Sequence, residues 1–215
     1  MTDAEKKLIM DYMIRGENVG NTDVFEAVDI LIHMNGNDII SVIMECQDII
    51  RPIVTGEIPQ FSEEKDVFKV LRVLIDSGLE KLSYEQIGAY LSPSDAKSEA
   101  RRKYGETHYK FAAQLGLATM GQPFSATEIG VAYYLLENDE KRQALMNRMV
   151  FSIPFVQHSI LKAKEGVFYM PDYLAEFLAP STVLRRRSNM RKIMTWAYNI
   201  TEGDHKHLFD NIEWY

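Results

Sequence analysis

A cluster of cationic and amide side chains late in the chain has the residue types that recognise phosphates and base edges. Residues 181–199 contain five basic residues and no acidic ones, whereas the whole 215-residue chain has a formal net charge of −7. Arg and Asn form paired hydrogen bonds with guanine and adenine, and Ser, Thr and Lys suit phosphates or either base. Subtracting these five charges from −7 leaves −12 for the remainder, which argues against a protein that coats polyanions with its entire surface.

The spacing of this segment predicts a helix with one apolar and one polar side. At about 100° per residue, the apolar side gathers Val183, Met190, Ile193, Met194 and Ala197. The opposite side is free of acids and rich in donors, and the residues expected to face a DNA groove are Arg185, Ser188, Asn189, Lys192 and Thr195. Arg186 and Arg187 flank the apolar side, where they either reach phosphates or pair with acids of the same domain. The alternative for the whole segment is a solvated basic face, the usual use of a charge run.

An earlier segment, residues 96–115, predicts a second long helix with weaker cationic character. Residues 95–110 have a net charge of only +2, because three acidic residues offset five basic ones. Helical spacing places Arg102, Gly105 and Tyr109 outward, with Arg101 near them. We expect Arg101, Arg102 and Tyr109 to support binding, through either the DNA backbone or another protein. The residues predicted to face inward are Ala100, Tyr104, Thr107, Phe111 and Leu115.

Start and stop signals around residues 62–134 predict the element order of a winged helix-turn-helix. Ser62 opens one helix, and Ser83 with Gln86 forms a capping box that starts a short helix before the break "SPSD". The stretch "GLATMGQPFS" has two glycines, a proline and little helical periodicity, which predicts a two-stranded wing. Ser125 and Glu128 form a second capping box for the next helix. In such a module the long helix enters a major groove and the wing touches the backbone or minor groove.

The pattern of a short helix, a break and a long basic helix occurs twice. "IGAYLSPS", residues 87–94, matches "LAEFLAPS", residues 174–181, at a constant offset of 87. Chance is the rival explanation, since proline followed by a capping serine is common at helix starts. The repeat predicts a mainly α protein with tandem winged helix-turn-helix modules and short β wings. The expected division is a helical N-terminal region at 1–60, a first module at 61–137 and a second at 138–215.

Composition and the N-terminal region indicate an ordinary globular chain. Hydrophobic residues make up 46%, no apolar run is long enough to span a bilayer, and "MTDAEKK" has acids where a secretory signal is basic. A cytoplasmic location without membrane contact is therefore expected. Asp23 or Thr22 caps one predicted helix, and Asn37 or Asp38 caps the next. The lone Cys46 excludes an internal disulfide, and its apolar neighbours predict a buried thiol.

The motifs of several enzyme classes are missing from the sequence. "GLATMG" has two glycines at phosphate-loop spacing, but Gln122 stands where the lysine is needed. There is no H-E-x-x-H, no cysteine pair for zinc and no G-x-S-x-G elbow. The "HKH" residues at 205–207 are predicted to be polar surface residues of a loop or wing rather than metal ligands. We therefore expect no enzyme activity, no cofactor and no metal.

Residues 83–199 resemble winged-helix modules of bacterial restriction and defence systems, and the winged-helix domains that accompany some ATPases. In those modules the motif A-x-x-L-G-L precedes the wing, and T-x-x-G opens the next helix. In this sequence the two motifs lie at residues 112–117 and 127–130. A serine-threonine helix with two or three arginines follows later, as "APSTVLRRRSNMRKIMTWA". The resemblance implies DNA binding, with any nuclease, methyltransferase or ATPase activity residing in a partner chain.

These features predict a double-stranded DNA-binding protein. It acts as a transcriptional regulator or as the DNA-recognition component of a restriction or defence system, and a homodimer is one arrangement it allows. A protein-interaction adaptor is the main alternative, because winged helices also serve as docks and the chain is acidic overall. A plasmid-type replication initiator, which also uses tandem modules, is a weaker alternative.

Overall fold

The computed structural model describes residues 1–16, 22–61, 63–78, 82–92 and 95–215. It is mainly helical, as predicted. The chain divides into two compact units: the first combines Met1–Ile58 with Gln143–Tyr215, and the second is Pro59–Arg142. The second unit covers the predicted first module with a few more residues at each end. The predicted N-terminal region and second module, by contrast, share one unit.

The N-terminal part of the first unit contains three α-helices and a π-helical turn. Its elements are α1 (Asp3–Ile9), a π-helix (Met10–Arg15), α2 (Val24–Leu31) and α3 (Gly36–Glu45), followed by 3₁₀ turns at Gln47–Ile49 and Thr55–Glu57. Asp23 caps α2 by accepting the backbone N–H groups of Phe25 and Glu26. The predicted cap of α3 at Asn37 or Asp38 is wrong. The cap is Asn35, whose side-chain oxygen accepts the N–H of Asn37 at 2.9 Å.

The second unit contains α4 (Lys65–Asp76), α5 (Tyr84–Leu91), α6 (Ser98–Gln114) and α7 (Glu128–Leu135). The capping box at the start of α5 is confirmed: the Ser83 N–H donates to the Gln86 side chain at 2.8 Å, and the Gln86 N–H donates to Ser83 Oγ at 3.2 Å. The predicted box of Ser125 and Glu128 is wrong. Thr127 caps α7 instead, by accepting the Gly130 N–H at 3.1 Å.

Helices α5 and α6 pack closely because a glycine from each lies at their crossing. A Cβ placed on Gly105 would lie 2.6 Å from the backbone nitrogen of Gly88, and one on Gly88 would lie 3.0 Å from that of Gly105. Side chains at either position would force the helices apart, since real Cβ atoms do not approach so closely. The prediction that Gly105 faces outward is therefore wrong.

The loop between α6 and α7, expected to be a two-stranded wing, is closed by one antiparallel bridge between Ala118 and Ala126. Flanking hydrogen bonds join Thr119 N–H to the Ser125 carbonyl at 3.0 Å and Thr127 N–H to the Leu117 carbonyl at 3.1 Å. The segment is thus a tight hairpin-like loop without an extended ladder.

The C-terminal part of the first unit repeats the order of a short helix followed by a long one. It consists of α8 (Asp139–Met149), which begins in the second unit, a 3₁₀ turn (Val150–Ser152), α9 (Pro154–Glu165), β1 (Phe168–Tyr169), α10 (Met170–Ala175), α11 (Pro180–Asn199), a 3₁₀ helix (Asp204–Asn211) and β2 (Ile212–Glu213). Strands β1 and β2 pair in parallel. Within the described residues, a 3₁₀ helix rather than a hairpin follows α11, and it carries the "HKH" residues.

At the second break of the repeat, Pro180 lies at the helix start as expected, but Ser181 does not cap the helix, which has no side-chain cap. Ala179 is the N-cap of α11, and Pro180 occupies its first turn, where the missing proline N–H removes no helical hydrogen bond. The proline and serine of the first break, residues 93 and 94, lie outside the described residues, as does the predicted start at Ser62.

Two further findings concern membrane contact and Cys46. No single helix in the described part of the chain is long and apolar enough to cross a bilayer. Helices α2 and α3 reach that length and composition only when joined across a 109° bend. Cys46 is half-buried rather than fully buried. Its partial burial raises the pKa of the thiol, with a further contribution from the neighbouring Glu45, so thiolate reactivity is disfavoured.

Candidate nucleic-acid interface

Helix α11 buries the apolar side that its sequence predicts, and one large residue more. Val183, Met190, Ile193, Met194 and Ala197 are all buried, which confirms the predicted inward side. Trp196 is buried as well, although helical spacing alone places it near the polar side.

Burial of Trp196 turns the helix so that its solvent-facing side differs from the predicted one. Of the exposed residues of α11, we call six the α11 outer face: Leu184, Arg185, Ser188, Arg191, Thr195 and Tyr198. Asn189 and Lys192, predicted to face a groove, lie half-buried along one edge of this face. Arg187 is half-buried along the opposite edge.

Three guanidinium groups of α11 have no acidic partner among the described residues. In the described ranges, no carboxylate oxygen lies within 4.0 Å of Arg185, Arg187 or Arg191. Arg185 donates a long hydrogen bond of 3.4 Å to Thr182 Oγ1. Arg191 lies over the ring of Tyr215, with its carbon Cζ 4.9 Å from the ring centre, and donates to the Tyr215 hydroxyl. These charges are therefore available to an external anion.

Arg186 differs from these three arginines. It is not placed to reach phosphate and does not pair with any described acid, the two interactions expected from the sequence. Its Nη1 donates to the backbone carbonyl of Ile58 at 2.7 Å, and its Nε is enclosed with no hydrogen-bond partner in the described part of the chain. Burial, with a smaller effect from neighbouring Arg185, lowers the pKa of Arg186 to about 10. Arg186 thus attaches the start of α11 to the backbone at Ile58 and is not placed to bind phosphate.

The hydroxyl groups of the outer face are engaged with the helix backbone. Ser188 Oγ donates to the Arg185 carbonyl at 3.3 Å, and Thr195 Oγ1 donates to the Arg191 carbonyl at 2.8 Å. Their oxygens keep acceptor capacity for a donor such as a base amino group. The Lys192 ammonium lies 5.6 Å from the Trp196 ring centre, within reach of the solvent at the edge of the face.

Helix α6 presents its cations differently. Glu106 lies 3.8 Å from Arg102 Nη1 and 2.6 Å from Lys110 Nζ, one turn away in each direction. Arg101 is half-buried. One carboxylate therefore holds two of the cations that could have met a phosphate.

The prediction that Tyr109 lies on the outer side of α6 is wrong. The residue is only 1% exposed, and its hydroxyl donates to the Thr119 carbonyl at 2.8 Å. Its ring also packs against Phe124, with 4.4 Å between centres. Because α6 turns Gly105 towards α5, Tyr109, one turn later, lies inside the unit and holds the loop before α7.

The sequence did not predict three residues of the outer face, Leu184, Arg191 and Tyr198. Arg191 belongs to the basic segment, but helical spacing alone does not place it on the predicted outward side of the helix. Trp196 could have indicated its position. If this large aromatic residue is assumed to be buried, the predicted solvent-facing direction of the helix turns towards Arg191. The internal repeat points the same way, because it aligns Trp196 with Phe111, which is buried.

The described residues show no alternative centre for metal chemistry. Within the described residues, no group of three or more His, Cys, Asp or Glu side chains is placed to hold a metal ion. In the "HKH" segment, His205 lies 3.0 Å from Ser41 Oγ, and His207 contacts the Asp204 carbonyl. Both imidazoles are thus engaged locally in the first unit.

Comparisons of the chain with protein families, with curated proteins and with solved structures found no match. The outer face of α11 is therefore interpreted on its own geometry and charge.

Proposed function

We propose that this protein binds double-stranded DNA through the α11 outer face, as a transcriptional regulator or as the DNA-recognition component of a restriction or defence assembly. The observation that carries the proposal is the set of guanidinium groups, on Arg185, Arg187 and Arg191, that lack a carboxylate partner in the described part of the chain. A basic helix face in an otherwise acidic protein directs a polyanion to one place.

The dimensions of α11 suit this role. Its 20 residues make a rod about 30 Å long, and the major groove of B-DNA admits an α-helix. Arg185 and Arg191 lie on the exposed side, where a guanidinium can pair with guanine or with phosphate. Asn189 and Lys192 would reach the groove from the edge, and Leu184 offers an apolar contact of the kind made with the thymine methyl group.

The proposal also covers the type of the DNA-binding modules and the nature of a partner chain. We propose that α5 with α6 and α10 with α11 are two helix-turn-helix modules, of which the second reads DNA. A nuclease, methyltransferase or ATPase chain would supply any catalytic activity of the assembly. The first module is proposed to contact DNA backbone or protein, because the pairing of Arg102 and Lys110 with Glu106 weakens its attraction for phosphate.

Fluorescence anisotropy with a labelled mixed-sequence duplex tests this proposal. The double variant Arg185→Ala/Lys192→Ala should weaken binding by about tenfold or more, since removing a cation that binds a base or phosphate is expected to cost about 1–3 kcal/mol. The matched control Arg102→Ala/Lys110→Ala removes the same charge from α6 and should change affinity much less. Equal reductions of affinity in the two variants would show that net charge alone attracts the duplex, which contradicts the proposal.

A second function, docking of another protein on the same face, is favoured by one observation. Leu184 is 67% exposed and Tyr198 39% exposed on the α11 outer face, and aromatic and arginine side chains are common at the centres of protein interfaces. Failure of the parent protein to bind any duplex at low salt would favour this adaptor function over DNA binding.

A further inference from the structure

The first unit has an open cleft whose lining side chains are mostly polar. Its volume is about 440 Å³, within the range of roughly 300–1,000 Å³ that is usual for small-molecule sites. The lining side chains that matter below come from the turn after α3, from α9 and from α10: Gln47, His158, Lys162, Lys164, Glu165 and Tyr173.

Tyr173 is the residue in this cleft that points to a ligand. It is only 8% exposed, yet its hydroxyl makes no hydrogen bond to any described residue, and the oxygen is not fully enclosed. Burial, reinforced by Glu176 and Glu165, raises the pKa of Tyr173 to about 12, so the hydroxyl keeps its proton. The hydroxyl therefore opens to the cleft with a donor that no described residue accepts.

Two lysine ammonium groups accompany this hydroxyl. Lys162 Nζ lies 4.7 Å from the Tyr173 ring centre and 3.9 Å from a Glu176 oxygen, a separation beyond hydrogen-bonding range. Lys164 is exposed and has no ion pair with any described carboxylate. Both ammonium groups therefore have donors to offer.

The other polar groups set the charge and the direction of the site. His158 lies with Nε2 2.9 Å from the Arg51 carbonyl, so Nε2 carries the proton and the ring is held at the cleft wall. Glu165 contributes one negative charge. The two lysines outnumber Glu165 in the lining, and Glu176 lies close by, 3.9 Å from Lys162.

We propose that this cleft binds a small oxyanion, the phosphate or carboxylate group of a small molecule, through the Tyr173 hydroxyl and the ammonium groups of Lys162 and Lys164. The proposal does not depend on DNA binding by α11. A phosphate group of a nucleic-acid backbone has the same chemistry, so the experiment distinguishes a free phosphate from a backbone one.

Titration with inorganic phosphate at constant ionic strength tests the site, with the ring signals of Tyr173 followed by NMR and assigned with Tyr173→Phe. We expect a saturable shift in the parent protein. By calorimetry, Tyr173→Phe should weaken phosphate binding about fivefold because the hydroxyl donor is removed, and Lys164→Gln about threefold. The matched variant Lys103→Gln, an exposed lysine on α6, should bind like the parent. Glu165→Gln should bind phosphate more tightly, because it removes the negative charge.

Three results would overturn the proposal. The first is a shift that fails to saturate. The second is a reduction of affinity in Lys103→Gln equal to that in Lys164→Gln. The third is a Tyr173 response to a short duplex but not to inorganic phosphate, which would assign the cleft to a nucleic-acid backbone. The phenylalanine variant keeps the packed ring, and an unchanged unfolding temperature verifies that a loss of binding is not a loss of folding.

Discussion

Helices α6 and α11 both follow a short helix and both carry several cations, but they use them in opposite ways. In α6 a single carboxylate, Glu106, holds Arg102 and Lys110, and the middle of the helix is pressed against α5. In α11, Arg185 and Arg191 are exposed without an acidic partner among the described residues. The difference shows that a count of basic residues does not identify a binding face.

The cause of the difference lies in where acids fall along each helix. Glu106 stands four residues after Arg102 and four before Lys110, the separation at which side chains on a helix meet. Helix α11 has no acid at all. Its guanidinium groups can only be paired by another element or by a ligand, and Arg186 donates a hydrogen bond to the Ile58 carbonyl.

The largest effect is expected from a substitution at the α5–α6 crossing. Gly105→Ala should destabilise the second unit by about 3 kcal/mol or more, because the new Cβ meets backbone atoms that cannot move independently. This destabilisation outweighs the improvement of about 1 kcal/mol in helix propensity. The matched change Ser188→Ala on the exposed side of α11 should alter stability by less than about 0.5 kcal/mol. Urea unfolding measures both, and a Gly105→Ala protein as stable as the parent would contradict the close crossing.

A smaller effect separates two adjacent arginines of α11. Arg186→Ala should cost about 1–2 kcal/mol of unfolding free energy, because it removes the charged hydrogen bond to Ile58. Arg185→Ala should leave stability within about 0.5 kcal/mol of the parent and weaken DNA binding instead. Thermal unfolding and duplex affinity, measured on both variants, should therefore rank them in opposite orders; the same order in both assays would refute the assignment.

A pH-dependent effect is expected in the second unit, where α6 carries His108. Burial lowers the pKa of His108, and the opposing effects of the Tyr104 carbonyl and Asp66, 3.3 Å away, are smaller, as is that of Glu63. Lys69, which pairs with Asp66, lowers it further. The unfolded chain then binds more protons below the ordinary value of 6.5, so stability falls as pH falls through that range.

Amide exchange protection checks this prediction. Between neutral pH and pH 5, protection should decrease in α6 more than in α11, and His108→Gln should flatten the dependence. An increase of α6 protection on acidification would instead show that Asp66 holds the proton on His108 in the folded protein.

The smallest effect concerns the pairing of Arg191 with Tyr215. Tyr215 is 82% exposed and holds the guanidinium through its ring and hydroxyl, which reduces the side-chain entropy that binding must remove. Tyr215→Ala should weaken duplex binding about two- to threefold, because the cation–π interaction that orients Arg191 is removed, with no change in unfolding temperature. The same substitution in an Arg191→Ala background should have no further effect. Tighter binding by Tyr215→Ala would show that Tyr215 masks Arg191.

The sequence predicts the local elements of this fold better than their tertiary contacts. The capping box of Ser83 and Gln86 and the apolar side of α11 follow from neighbours within one or two turns, and both are observed. The rotation of α6 depends on Gly88 of another helix, and spacing alone placed Gly105 outward. The hydrogen bond of Arg186 joins residues 128 positions apart, a separation at which no periodic pattern indicates pairing.

The candidate site was predictable in position but not in detail. An acid-free stretch indicates where unpaired cations must lie, because nothing within the helix can neutralise them. Whether Asn189 and Lys192 or Leu184 and Arg191 face outward depends on which side Trp196 packs. That choice is made by the hydrophobic surroundings of α11 rather than by its own charge pattern.

The salt dependence of duplex binding tests the central claim most directly. Neutralising about six phosphates gives a slope near −5 for the logarithm of the binding constant against the logarithm of salt concentration. Replacing Arg185, Arg187 and Arg191 with Gln should reduce the steepness by about three, whereas replacing Arg102, Lys103 and Lys110 with Gln should leave it nearly unchanged. Equal slopes for the two triple variants, or a duplex affinity that does not depend on salt, would contradict the account.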